Sequence, residues 1–168
     1  MNQSLLPEIV VIMHNIRSAH NVGSIFRTAE GFGVSEILLT GYTPYPTTKD
    51  DTRLPHIAEK LTAQIHKTAL GAEALVPFRY YPTLDLASLQ LAGYQIVGLE
   101  QDARSSILPH YTPPSKIALL LGEEVQGIDQ ALLSQCDDLI EIPMKGRKES
   151  FNVSVAAGIA LYALTTQS

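Results

Sequence analysis

Apolar residues recur along this chain in short runs, separated by polar breaks rich in glycine and proline. Glu8 to Met13 (E-I-V-V-I-M) is a compact β-branched run and predicts a strand buried on both faces. After polar H-N-I-R-S-A-H comes N-V-G-S-I-F-R-T-A-E-G-F, which places Val22, Ile25, Phe26 and Ala29 on one face of a helix capped by Asn21. Gly31 and Gly33 end that helix, and Ser35 to Thr40 forms the next strand. A strand–helix–strand unit implies parallel pairing. Gly41 to Pro55 is a long, proline-marked loop of the kind that often carries function. A helix from about Ile57 to Thr68, a weaker strand at Leu75 to Tyr80 and a short helix at Leu84 to Leu91 follow. Gln95 to Leu99 is a strand, succeeded by polar E-Q-D-A-R-S-S. Lys116 to Leu121 (K-I-A-L-L-L) is the clearest central strand and runs straight into G-E-E-V-Q-G-I. Asp129 caps a short helix, and Leu139 to Ile142 is the last strand. The pattern predicts an α/β domain with about six strands in a mostly parallel sheet flanked by helices.

The closing stretch departs from the amphipathic pattern. Beyond Pro143 lies a basic and polar loop, and a helix then starts near Ser150 or Asn152. Its small residues (Ser154, Ala156, Ala157, Gly158, Ala160) alternate with Val153, Val155, Ile159, Leu161 and Leu164, which leaves no polar face. Such a helix is buried, in its own domain or against a second subunit. Ser150, Asn152 and Ser154 give it a polar mouth, the mark of a site.

Composition narrows the class. The chain has 168 residues, 45% of them hydrophobic and 17% charged, as expected of one ordinary globular domain. The sole cysteine, Cys136, excludes an intrachain disulfide and points to a reducing compartment, read as the cytoplasm. The five histidines lack metal-ligand spacing, so no metal is expected. No apolar run approaches the roughly 20 residues of a membrane span. A net charge of −5 argues against indiscriminate wrapping of nucleic acid, but allows a local basic patch such as Lys145, Arg147 and Lys148.

In open parallel sheets, ligands bind beyond the carboxyl ends of the strands. Three such ends carry unusual residues: Asn15, Arg17, Asn21 and Arg27; Gly122, Glu123 and Glu124; and Pro143 to Asn152. Leu99 and Glu100 mark a fourth, plainer one. Phosphate-loop, dinucleotide, serine-hydrolase and zincin motifs are all missing from the sequence. Local chemistry alone gives an α/β ligand-binding domain, most naturally an enzyme.

Three segments together resemble the SpoU/TrmH family of RNA ribose 2′-O-methyltransferases, the trefoil-knot (SPOUT) methyltransferases. They are N-I-R-S-A-H-N-V-G-S-I-F-R-T-A-E-G-F-G-V (residues 15–34), I-A-L-L-L-G-E-E-V-Q-G-I (117–128) and I-E-I-P-M-K-G-R-K-E-S-F-N-V-S-V-A-A-G-I-A-L-Y (140–162). The resemblance implies S-adenosyl-L-methionine as methyl donor, a C-terminal trefoil knot and a homodimer packed through the knot region. It implies tRNA or rRNA as substrate, methylated on a ribose 2′-hydroxyl. A non-catalytic RNA-binding or cofactor-binding relative is the competing reading.

By the family pattern, Leu99, Gly122, Ile142, Met144 and Phe151 hold the donor, with phenylalanine standing where many relatives have leucine. Gly122 is expected to let the backbone approach the ligand closely. Arg27 is expected to bind the target phosphate and to steady the ribose oxygen as it becomes negative, since a guanidinium stays protonated and makes a poor base. Asn21, Glu124, Ser150 and Asn152 are expected to orient Arg27 and the donor. Many relatives carry an RNA-binding extension. Here one methyltransferase domain is read over residues 1–168 without one, so RNA grip falls to Arg17, Arg53, Lys145, Arg147 and Lys148.

Overall fold

In a computed structural model of the chain, residues 6–166 are described, and their strands form a single seven-stranded sheet in the order β3-β2-β1-β6-β4-β7-β5. The strands are β1 (Glu8–His14), β2 (Glu36–Thr40), β3 (Phe78–Tyr81), β4 (Gln95–Leu99), β5 (Ser106–Ile107), β6 (Lys116–Leu121) and β7 (Asp138–Glu141). Every neighbouring pair is parallel. The helices are α1 (Ala19–Gly31), α2 (Pro55–Ala69), α3 (Leu86–Leu91), α4 (Gln130–Leu133) and α5 (Val153–Thr166).

The apolar runs of the central strands feed two cores, as alternating side chains must. Ile9, Val11 and Met13 join a large cluster with α1, α2 and α5, while Val10 and Ile12 join a smaller one with Leu86 and Leu133 on the other face. The sheet has one strand more than the pattern predicts. The extra strand, β5, is only two residues long and pairs with β7 at the sheet edge, too short for alternation to register.

Helix α1 is capped by Ser18, not by Asn21. The Ser18 hydroxyl accepts a hydrogen bond from the Asn21 N–H at 3.2 Å. The helix therefore begins two residues before Asn21, whose side chain is released for other work. Asn152 does cap α5, its Oδ1 accepting from the Ser154 N–H at 2.9 Å. The all-apolar α5 buries Ala157, Ala160, Leu161 and Leu164 and packs against α1. Its opposite side stays bare, with Val155, Ile159 and Tyr162 exposed in a row one helical turn apart. Among the described residues, no helix is long and apolar enough to cross a membrane.

Candidate functional site

Strands β6, β4 and β7 lie side by side, and the loops leaving their carboxyl ends enclose a cavity of about 320 Å³. That is within the usual range for a small-molecule site. Leu99, Leu121, Ile142, Val153 and Ala156 give it apolar walls, and Phe151 stands at its edge, 40% exposed.

The loops are tied to one another by side chains. Glu100, directly after β4, accepts from the Ile128 N–H at 2.9 Å and the Gln101 N–H at 3.0 Å. Gln101 donates to the Glu149 carbonyl at 2.8 Å, joining the β4 loop to the β7 loop. The β6 loop closes on itself between Glu123 and Gly127. A Cβ on Gly122 would lie 2.5 Å from the Gly127 carbonyl carbon and 2.6 Å from the Ile128 nitrogen. The need for glycine at 122 thus comes from the chain's own backbone folding back across it, rather than from room for a ligand. Gly122→Ala is expected to displace the 122–128 loop and cost about 1–3 kcal/mol, read as a lower chemical-denaturation midpoint.

A second set of bonds joins this cavity to the start of α1. The loop after β1 is pinned from below. The Ile16 N–H donates to the Thr43 hydroxyl at 3.0 Å, and Asn15, at φ 56°, accepts from the Tyr42 N–H at 3.2 Å. His14 braces this loop through Thr40 Oγ1 at 2.9 Å and the Asn15 amide at 3.2 Å, and burial lowers its pKa, against a weaker upward pull from Asp129. So held, the loop points three donors at Glu124. The Arg17 N–H lies 2.9 Å from Oε2, and the Ser18 N–H and Asn21 Nδ2 lie 3.0 Å and 3.1 Å from Oε1. Burial pushes the Glu124 pKa upward, but these bonds outweigh it, and the net shift is downward. A carboxylate at a helix N-terminus also meets the positive end of the helix dipole. Asn21 then passes the chain of bonds on: its Oδ1 accepts from Asn152 Nδ2 at 3.2 Å.

The expected residues therefore separate into groups. Asn21, Glu124 and Asn152 form one hydrogen-bonded line linking α1, the β6 loop and the α5 cap. Leu99, Gly122, Glu124, Ile142, Ser150 and Phe151 line the cavity, whereas Met144 does not. Arg27 is exposed, and among the described residues its side chain makes no hydrogen bond or ion pair. It lies six residues beyond Asn21, roughly 120° around the helix from it at 100° per residue, on α1's solvent side.

The basic residues also separate. Lys145, Arg147 and Lys148 are exposed and carry no ion pair among the described residues. Arg17 Nε approaches Glu123 Oε1 at 2.9 Å, close enough for an ion pair, although its N–H is misaligned for a hydrogen bond. Arg53 is not free for RNA. Its guanidinium pairs with Asp51 at 2.5 Å, donates to the Tyr45 carbonyl at 2.9 Å and lies 3.5 Å from the centre of the Tyr45 ring. It pins the long loop, and its neighbourhood holds the Asp51 carboxyl far below the ordinary range, chiefly through the Arg53 hydrogen bond. Sequence reasoning missed the clasp made by Glu100 and Gln101. Their position directly after β4 was the available signal.

Comparison with known proteins gives the family of the chain. The family model described as the SpoU rRNA Methylase family matches residues 8–162. A 23S rRNA (guanosine-2'-O-)-methyltransferase RlmB from Nitrosomonas europaea is 35% identical over 158 residues, covering 93% of this chain and 55% of the relative. The RlmB of Coxiella burnetii is 32% identical over 163 residues, covering 96% of this chain and 59% of that protein. The chain thus spans somewhat more than half the length of these relatives. Among solved structures, an AdoMet-bound rRNA methyltransferase from Sinorhizobium meliloti superposes with a TM-score of 0.76 at 27% identity, over 94% of this chain and 55% of that one. With the family model matching almost end to end, and with relatives above 30% identity, this chain belongs to the SpoU rRNA methylase family.

Proposed function

We propose that this protein is an S-adenosyl-L-methionine-dependent RNA methyltransferase that modifies a ribose 2′-hydroxyl of rRNA or tRNA. The single observation that carries this reading is the hydrogen-bonded line Asn21–Glu124–Asn152 beside the cavity at the ends of β4, β6 and β7. Family membership and the names of the relatives support it.

The cavity suits the donor. It is large enough for a nucleoside with a short tail, and Leu99, Leu121 and Ile142 at the strand ends give it apolar walls. Leu99, Ile142 and Phe151 would grip the base and sugar, while Ser150 faces the cavity from the β7 loop. The bound donor supplies a methyl group activated by its sulfonium. The chain's own residues hold that group and the attacking oxygen in line, and keep the mouth of α5 fixed relative to α1. Arg27, unpaired and on the solvent side, faces the RNA. There its guanidinium binds phosphate and stabilises charge growing on the ribose oxygen. Such a reaction belongs in the cytoplasm, where RNA and donor meet.

The reading carries a homodimer and the knot with it. The bare row Val155, Ile159 and Tyr162 on α5, next to exposed Phe151, is the surface a second copy would cover. Support for the knot comes from strand order. β7 lies beyond β6 and β4, yet α5, which follows it directly, packs back on α1.

RNA contact falls to Lys145, Arg147 and Lys148. Neutralising all three to glutamine is expected to weaken RNA binding about tenfold or more and to flatten its salt dependence. Arg53→Gln, by contrast, is expected to lower the melting temperature and leave RNA affinity unchanged. Filter binding across a salt series, paired with thermal melts, checks both. The methyltransferase reading itself is tested by calorimetry with S-adenosylmethionine followed by transfer of labelled methyl to bulk RNA. A chain that binds RNA but not the donor would refute it.

A further inference from the structure

The cavity's charge is one-sided. Five glutamates line it (Glu100, Glu123, Glu124, Glu141 and Glu149), and no lysine or arginine does. Of these, among the described residues, only Glu123 has a cationic partner, Arg17. Glu100 and Glu124 are satisfied by N–H groups alone, which stabilise a negative charge without cancelling it. Glu141 and Glu149 make no side-chain ion pair among the described residues. The cations of the β7 loop, Lys145, Arg147 and Lys148, are exposed and lie off the cavity wall. The carboxylates are also dispersed: among the described residues, no three acidic or histidine side chains come together in a way that could hold a metal ion. A ring of separated anions with apolar walls between them suits a bulky organic cation rather than a compact metal ion.

We propose that this acidic lining selects the charge state of the ligand, holding the sulfonium donor more tightly than the neutral thioether product. The proposal rests on the reading that the cavity takes a methyl donor, and it adds a reason for turnover. Donor and product share the adenosine and the amino-acid tail and differ by one methyl and one positive charge. The transfer breaks the sulfur–methyl bond, and the sulfur keeps the bonding pair. The sulfonium charge is lost as the methyl joins the ribose oxygen, and the hydroxyl proton leaves to solvent. After each transfer, the field that drew the donor in no longer holds what remains, so product leaves readily and inhibits weakly.

The test is calorimetric binding to the intact protein of three ligands: S-adenosylmethionine, S-adenosylhomocysteine, and sinefungin, whose protonated amine replaces the sulfonium methyl. The two cations are expected to bind about fivefold or more tighter than the thioether at low salt, with the gap narrowing at high salt as exposed charges are screened. Because the ammonium of sinefungin also fills the place of the methyl, it is the salt dependence and the loss of carboxylates that separate charge from the lost methyl contact. In the double variant E141Q/E149Q the cation preference is expected to fall by about half or more at low salt, with thioether affinity changing less than that of the two cations, because the thioether is a zwitterion without net charge. Equal affinity for all three ligands, or a preference that ignores both salt and the two substitutions, overturns the proposal alone. Absence of binding by any of them overturns it together with the reading on which it rests.

Discussion

Replacing Arg27 by alanine is expected to slow methyl transfer by about 10²–10³-fold, the usual cost of removing one preorganised donor from a developing oxyanion. The same change should leave the melting temperature and donor affinity where they were. The rate loss follows from its place in the family pattern, and the unchanged stability and donor affinity from its setting: the Arg27 side chain is exposed, makes no hydrogen bond or ion pair among the described residues, and stands off the cavity wall. A structural arginine would behave in the opposite way, with stability lost and turnover per folded molecule retained. Arg27→Lys keeps the charge but loses the planar fork, and should recover only part of the rate. Single-turnover rates at saturating donor, measured beside thermal melts and calorimetric affinities, separate these outcomes. Near-normal turnover in the alanine variant would remove Arg27 from the chemistry.

Glu124→Gln is the second large effect, and it should strike fold and site together. The carboxylate accepts three hydrogen bonds, from Arg17, Ser18 and Asn21. An amide offers one oxygen to these donors and turns an N–H₂ group against the rest. The expected cost is about 2 kcal/mol of stability. Activity should fall as well, since Asn21 loses the partner that aims it at Asn152. The pH dependence has a definite sign. The folded-state pKa of Glu124 is lowered, so its stabilisation is complete above the unfolded glutamate value of about 4.3 and is lost as pH falls through the folded value. The gap between parent and variant in chemical denaturation should therefore be widest near neutral pH and close in acid. A gap constant down to pH 3 would mean that the ionised carboxylate does not hold this junction.

Much of the fold lay open in the pattern of the chain because its central strands are buried on both faces. Ile9 to Met13 and Ile117 to Leu121 are continuous apolar runs for that reason, and they pair as neighbours in the sheet. β5 left no trace, since two residues in a polar stretch carry no period. β7 begins and ends one residue earlier than its apolar run, because Asp138 joins the ladder and Ile142 packs against the core after leaving it.

The site was legible as residue types more than as geometry. Asn21 stands out as a good helix cap, yet Ser18 fills that place, and only the folded chain shows the Asn21 amide turned toward Glu124 and Asn152. Arg53 reads as a surface cation. Its burial against Tyr45 and Asp51 depends on how the long loop folds, which no local pattern encodes. Gly122 is required, but by contact with residues 127–128, a reason that appears only once the loop has turned back. Arg27 is read from its place in the family pattern, and the structure of a single chain leaves it outside the bonded line.

The account turns on transfer of a methyl group to a ribose in RNA. Incubating the protein with S-adenosylmethionine labelled in the methyl group and bulk RNA, then digesting the RNA with alkali, tests it in one measurement. A 2′-O-methyl group blocks cleavage at its own nucleotide. The account predicts label in alkali-resistant dinucleotides, and its loss with Arg27→Ala. Donor binding without any transfer to RNA, or label found only on bases, would contradict it.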